Sequence, residues 1–113
     1  MGAGYHGGFG GTRGANTIYQ GTSKSDALKS VSSLPQLIQK GAKSFFKGSS
    51  NNYNNYSVRR TGHGDYVIRM ENPGRVPGSK AVYYKIIDSK GKTVRVYKET
   101  YDPSGRLVHT KEK

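Results

Sequence analysis

Two short turns written almost alike, Asp88-Ser-Lys-Gly91 and Asp102-Pro-Ser-Gly105, stand fourteen residues apart in the C-terminal half of the chain. Aspartate at the first position of such a turn accepts backbone N–H groups, Pro103 presets φ at the second, and glycine at the fourth takes up φ > 0 without a steric cost. Closed by a glycine bulge, turns of this kind join hairpin strands. Residues 81–111 therefore read as a three-stranded antiparallel meander in which Asp88 faces Lys92 and Asp102 faces Arg106. A regular register then puts Val82, Tyr84, Ile86, Val94, Val96 and Val108 on one face, with Lys98, Thr100 and Thr110 towards its edge, and this face is expected to be the core side. The opposite face receives Lys85 across from Arg95, Tyr83 across from Tyr97, Glu99 across from His109 and Tyr101 across from Leu107, with Lys111 beyond Tyr97.

Residues 1–80 precede the meander and must supply its cover. Residues 1–22 are dominated by glycine and have neither a helical nor a strand period, so they read as a flexible segment or linker. No P-loop pattern accompanies them, and His6 has no evident role. Residues 25–47 read as helical. Ser25 or Asp26 caps a short first helix, and Pro35 opens a second, with Leu34, Leu37, Ile38, Ala42, Phe45 and Phe46 on one side and lysines opposite. Two strands, residues 56–60 and 65–71, flank the Thr61-Gly-His-Gly64 turn, with His63 at its tip. Residues 72–80, NPGRVPGSK, read as an irregular loop. The expected fold is α+β, with N-terminal helices packed on an antiparallel β-sheet, as a single small domain over residues 23–113.

Charge narrows the partner class. Lysine and arginine number 19 against 7 acids, a formal net charge of +12, with a mean hydropathy of −0.80. Such a field attracts polyanions, nucleic acid first and an acidic protein second. The absence of cysteine removes disulfides, thiolate nucleophiles and cysteine-bound zinc. No apolar run is long enough to span a membrane. The N-terminus lacks the pattern of a signal peptide, so an export address is expected elsewhere, on a larger precursor. Nothing calls for a homo-oligomer.

The phrases PG…VPGSKAVYYK, IDSKGKT and K-x-TYDPSG-x-LVH-x-K, spread over residues 69–113, resemble the C-terminal toxin domains of bacterial polymorphic toxins, the contact-dependent and LXG-type secreted effectors. Among these, the chain looks like the ribonucleases of the barnase/EndoU/colicin/RelE-like group. YDPSGRLV is also similar to a unit of the YD repeats of Rhs-type shells, which reflects shared hairpin chemistry. The resemblance implies a metal-independent ribonuclease that needs no cofactor. RNA carries its own nucleophile, the 2′-OH, so a base, an acid and cations suffice. Glu99 and His109 would exchange the protons, and Lys85 and Arg95 would stabilise the phosphate. Tyr83, Tyr97 and Tyr101 would stack on a base, with Arg69, Lys98, Thr100 and Lys111 as further substrate-binding candidates. The resemblance also implies delivery within a larger effector, action on RNA (tRNA among the candidates) in a target-cell cytoplasm, and neutralisation by a cognate immunity protein, for which the charge calls for an acidic face.

Three alternatives fit the same residues. An ordinary polar sheet face with ion pairs worth roughly 0.2–1 kcal/mol each would look alike. A metal-dependent deoxyribonuclease would need clustered carboxylates or histidines, whereas the acids here are scattered. A non-catalytic nucleic-acid-binding module needs only the charge and the tyrosines.

Overall fold

The computed structural model describes residues 16–49 and 53–113. Along them run β1 (Asn16–Gly21), α1 (Lys24–Ser30) continued by a 3-10 turn (Val31–Ser33), α2 (Gln36–Lys47), β2 (Asn55–Arg60), β3 (Tyr66–Pro73), β4 (Lys80–Ile87), β5 (Thr93–Tyr101) and β6 (Leu107–Glu112). The strands form one six-stranded sheet in sequential order, antiparallel throughout. The fold is α+β, as expected.

Ser23 caps α1, its hydroxyl accepting the Asp26 N–H at 3.3 Å, in place of Ser25 or Asp26. Ser30, Ser32 and Ser33 then turn their hydroxyls back onto carbonyls three residues earlier at 2.7–2.9 Å. Such local bonds compete with helix propagation, and α1 tightens into the 3-10 turn. Pro35 precedes α2, which buries a narrow stripe, Ile38, Ala42 and Phe46, spaced at i, i+4, i+8. Leu37, expected on the buried side, falls off that stripe and is 66% exposed. Helices and sheet share one core. Ala27, Leu34, Ile38 and Phe46 cluster with Tyr56, Val58, Ile68, Met70 and Ile87, and the Phe46 ring meets Tyr56 edge-on at 5.6 Å.

Two stretches differ from the expectation. Asn16–Gly21, read as part of a linker, is the edge strand β1, and its Tyr19 packs on the helix–sheet core. The remainder of the glycine-rich run, with His6, lies outside the described residues. Residues 72–80 are no irregular loop either. β3 and β4 extend to Pro73 and Lys80, and residues 74–79 close a hairpin through Gly74 N–H to the Ser79 carbonyl at 2.9 Å.

Three turns share one construction. In each of 61–65, 88–92 and 102–106 the first residue donates its N–H to the fifth carbonyl, and the fourth residue is glycine at φ +88° to +89°. The first side chain, Thr61, Asp88 or Asp102, accepts the N–H groups of the third and fifth residues. Asp88 therefore faces Lys92 and Asp102 faces Arg106, as expected.

Past those turns the register departs from the regular one. Ile87 pairs with Thr93 but Ile86 with Arg95, so Val94 is an extra residue. Tyr101 pairs with Leu107 but Thr100 with His109, so Val108 is another. The first of these β-bulges inverts the facing of β5 relative to β4, and the second that of β6 relative to β5. Val94 and Val108, expected in the core, are 53% and 56% exposed. The slip is favoured because it buries Tyr97 in place of Val96, and an aromatic side chain removes far more surface from water than valine. Tyr97 stacks on Tyr84 at 4.6 Å and 11°. The helices also cover the other side of the sheet from the one expected. Val82, Tyr84, Ile86, Val67 and Tyr97 form a second cluster on the face that no described helix covers, here called the open face.

Candidate functional site

Antiparallel pairing lines up side chains in rows across the open face. One row runs Ser57, Arg69, Tyr84, Tyr97, Glu112, and the next runs Asn55, Glu71, Val82, Glu99, Thr110. Lys80 and Tyr101, paired at the end of β4 and β5, close that side. Arg59 and Val67 stand in the row beyond Arg69. Between the rows lies a cleft of about 490 Å³ lined by Arg59, Arg69, Glu71, Lys80 and Tyr84, with Gln20, Asn55 and Ser57 as an uncharged wall.

The charges are arranged around one carboxylate. Arg69 Nη2 lies 2.9 Å from Glu71 Oε1, and Lys80 Nζ lies 4.0 Å from the same oxygen. These three side chains keep 27%, 18% and 42% of their surface exposed, so they are held yet reachable. Glu99 differs. It is 1% exposed, and Tyr101 donates its hydroxyl hydrogen to Glu99 Oε1 at 2.8 Å. Tyr84 interacts with both Arg69 and Glu99. Burial raises the Tyr84 hydroxyl above its ordinary value, with Arg69 opposing. Burial, and then the bond to Glu99, raises Tyr101. Both phenols therefore stay protonated through neutral pH and serve as hydrogen-bond donors. Further along, Arg95 lies 3.9 Å over the Tyr97 ring and pairs with Glu112.

The proposed quartet of Lys85, Arg95, Glu99 and His109 is not brought together. Arg95 and Glu99 stand on the open face with Arg69, Tyr97 and Tyr101. Lys85, Tyr83, Lys98, Thr100, His109 and Lys111 stand on the helix-side face. The Val94 bulge turns Arg95 away from Lys85, and the Val108 bulge turns Glu99 away from His109 and pairs His109 with Thr100. Glu99 is also buried, so it cannot meet a substrate directly. Lys85 Nζ donates to the Gly41 carbonyl of α2 at 3.2 Å, and burial lowers its pKa. Tyr83 has the Lys98 and Lys113 amines 5.4 and 5.3 Å from its ring centroid. His109 and His63 are exposed and line no part of the cleft.

Sequence reasoning missed Arg59, Glu71, Lys80 and Tyr84. A signal existed for Glu71, since Arg69 and Glu71 alternate with the buried Ile68 and Met70 and so share the opposite face of their strand. Among the described residues no three histidine, cysteine, aspartate or glutamate side chains converge as metal ligands, and no helix is long and apolar enough to cross a membrane. No family model, curated protein or solved structure matches the chain.

Proposed function

We propose that the chain is a metal-independent endoribonuclease whose chemistry is carried out in the open-face cleft, centred on Glu71. The observation that carries it is the reachable Glu71 carboxylate flanked by Arg69 and Lys80 in a cleft that also presents Arg59. Glu71 takes the proton of the 2′-OH as the 2′ oxygen attacks phosphorus. Arg59 and Arg69 hold the phosphate oxygens and the charge that grows on them. Tyr84 donates a further hydrogen bond. The P–O5′ bond breaks with its electron pair on O5′, and that oxygen takes a proton from the Lys80 ammonium. Products are a 2′,3′-cyclic phosphate and a 5′-hydroxyl. The proton on Glu71 then returns to Lys80, its 4.0 Å neighbour. Glu99 acts at one remove, positioning Tyr84 and Tyr101.

A net charge of +12 suits RNA and equally an acidic protein that would hold such an enzyme inactive. This matches the resemblance to polymorphic-toxin ribonucleases delivered to a target cell and neutralised by an immunity partner. The test is incubation of the purified chain with total RNA and defined oligoribonucleotides in excess EDTA. Cleavage to cyclic-phosphate ends is expected. Absence of cleavage on every RNA, or activity abolished by EDTA, overturns the proposal.

A further inference from the structure

The cleft does not end at Lys80. That residue also lines a second groove, about 660 Å³, at the end of the sheet, whose floor includes Ala81, Lys98, Thr100 and Val108. The hairpin loop 74–79 forms its wall and leans across until Gly78 lies against Pro103, where a Cβ would stand 3.2 Å from the proline side chain. From that wall come Arg75 and the 58% exposed Val76, while Val108, 56% exposed, lies on the β6 side. Val76 and Val108 thus leave apolar surface in a groove that also presents Arg75 and Lys98. Asp102, a carboxylate of the lining, is engaged by its own turn, accepting from Ser104 N–H, Ser104 Oγ and Arg106 N–H. Neither Lys98 nor Arg75 forms an ion pair among the described residues.

We infer that this groove is a nucleotide-binding subsite, taking the unpaired base and phosphate of an RNA residue that flanks the scissile bond. The inference rests on the ribonuclease reading and adds the extent and strandedness of its substrate. The lining joins the Tyr83 and Tyr101 side chains and the apolar Val76 and Val108 with the cations Arg75 and Lys98, and aromatic surface for a base beside cations for its phosphate is the combination single-strand recognition uses. Continuity supplies the register. Lys80 stands 4.0 Å from Glu71 on the cleft side and 5.4 Å from the Tyr101 ring centroid at the lip, so a chain leaving the cleft passes this cation and turns around the end of the sheet to reach Lys98 and Thr100 on the helix-side face. A duplex cannot make that passage, because one of its strands would have to leave its partner to fill the slot.

The test compares kcat/KM on a dinucleotide with kcat/KM on single-stranded oligoribonucleotides lengthened one residue at a time, for the parent chain and for Arg75→Ala/Lys98→Ala and Val76→Asp. Extension on one side should raise kcat/KM about tenfold in the parent, a typical worth for one seated base. The variants should lose that gain and keep dinucleotide cleavage. A parent insensitive to length, or variants that affect both substrates equally, overturns the inference. Binding of single-stranded oligodeoxynucleotides, which cannot be cleaved by a 2′-OH route, separates this from the catalytic proposal. Arg75→Ala/Lys98→Ala should flatten the salt slope by about 1.4, at roughly 0.7 per cation removed, even if no RNA is cut. An unchanged slope with loss of binding to an acidic protein would instead make the groove a protein-docking surface, and the inference would be wrong.

Discussion

Replacing Glu71 and Glu99 singly by glutamine separates the chemical carboxylate from the architectural one. The Glu71 side chain is 18% exposed in the cleft and meets Arg69 at 2.9 Å. Glutamine there keeps the size and an acceptor for Arg69, so the loss of stability should stay near or below ~1 kcal/mol, the range of partly solvated ion pairs. Its amide cannot take a proton, and loss of a general base costs about 10²–10⁴ in rate, or ~2.7–5.4 kcal/mol of transition-state stabilisation. Glu99 is 1% exposed and accepts from Tyr101 at 2.8 Å. Glutamine there removes a charged acceptor from a buried network and brings in an amide whose N–H groups lack assigned acceptors, a change worth ~1–3 kcal/mol of stability. Its rate on RNA, measured where the variant is folded, should fall less than about tenfold, as for a positioning residue whose loss removes no proton-transfer group. The assays are urea melts and cleavage of an oligoribonucleotide in EDTA, with His109→Ala alongside as a variant that should cleave normally. If Glu71→Gln cleaves at the parent rate, or if Glu99→Gln and His109→Ala are both inactive while folded, the cleft assignment is refuted.

Gly91→Ala should destabilise more than Gly105→Ala. Both sit at φ +88° to +89°, but a Cβ at Gly91 would lie 2.5 Å from the Leu37 carbonyl oxygen of α2, whereas none lies within 4 Å at Gly105. The left-handed conformation alone costs ~1–2 kcal/mol, so equal urea midpoints for the two variants would deny the turn–helix contact. Alkaline pH should unfold the protein. Burial raises Tyr84, Tyr97 and Tyr101 above the ordinary 10.0, and Tyr53 to about 12. A raised phenol lends stability that is complete below pH 10 and is lost as pH climbs through the folded-state value, so urea midpoints should hold up to pH 10 and fall above it; a flat profile to pH 12 would contradict the burial. Deleting residues 1–21 should lower the urea midpoint, because it strips β1 and Tyr19 from the sheet edge and core; an unchanged midpoint would return this stretch to the status of a linker.

The hairpins were legible because a turn is a local event. An aspartate oxygen reaching two N–H groups and a glycine at positive φ are chemistry within five residues, and Asp88 and Asp102 behave accordingly. The bulges were not legible, because they are decided by packing at a distance. The segment Thr93–Tyr101 offers two alternating faces, Val94 and Val96 on one and Arg95, Tyr97, Glu99 and Tyr101 on the other. Counting apolar residues favours the valine face. Summing buried ring area favours the tyrosine face, and the waiting partner, Tyr84, belongs to another strand. β1 was hidden by its glycine-rich setting, although Thr17, Ile18 and Tyr19 are residues that suit a pleated strand. The helix stripe was legible to within one side chain, with Leu37 falling off the fully buried i, i+4, i+8 line of Ile38, Ala42 and Phe46.

The two bulges have a joint effect that neither has alone. One inverts the facing of β5 against β4, and the next inverts β6 against β5, so β6 recovers the facing of a regular sheet and β5 alone is turned over. Without the first, Val96, Lys98 and Thr100 would stand beside Tyr84 and Val82, and Tyr97 and Glu99 would lie on the opposite face. With both in place, the carboxylates carried by the strands, Glu71, Glu99 and Glu112, all stand on the open face. Lys85, Lys98 and Lys111 stand on the other face, where the strands supply no acid. Of these three carboxylates Glu71 lines the cleft with Arg59, Arg69 and Lys80, and the reverse-face lysines are left without a strand carboxylate beside them. A phosphodiester approaching the open face meets cations with a carboxylate among them, while on the reverse the strands present lysines and His109 but no carboxylate. Under the proposed reading, the open face is where a carboxylate stands among the cations, so mutation of the reverse-face lysines should weaken RNA binding without altering the bond that is cut.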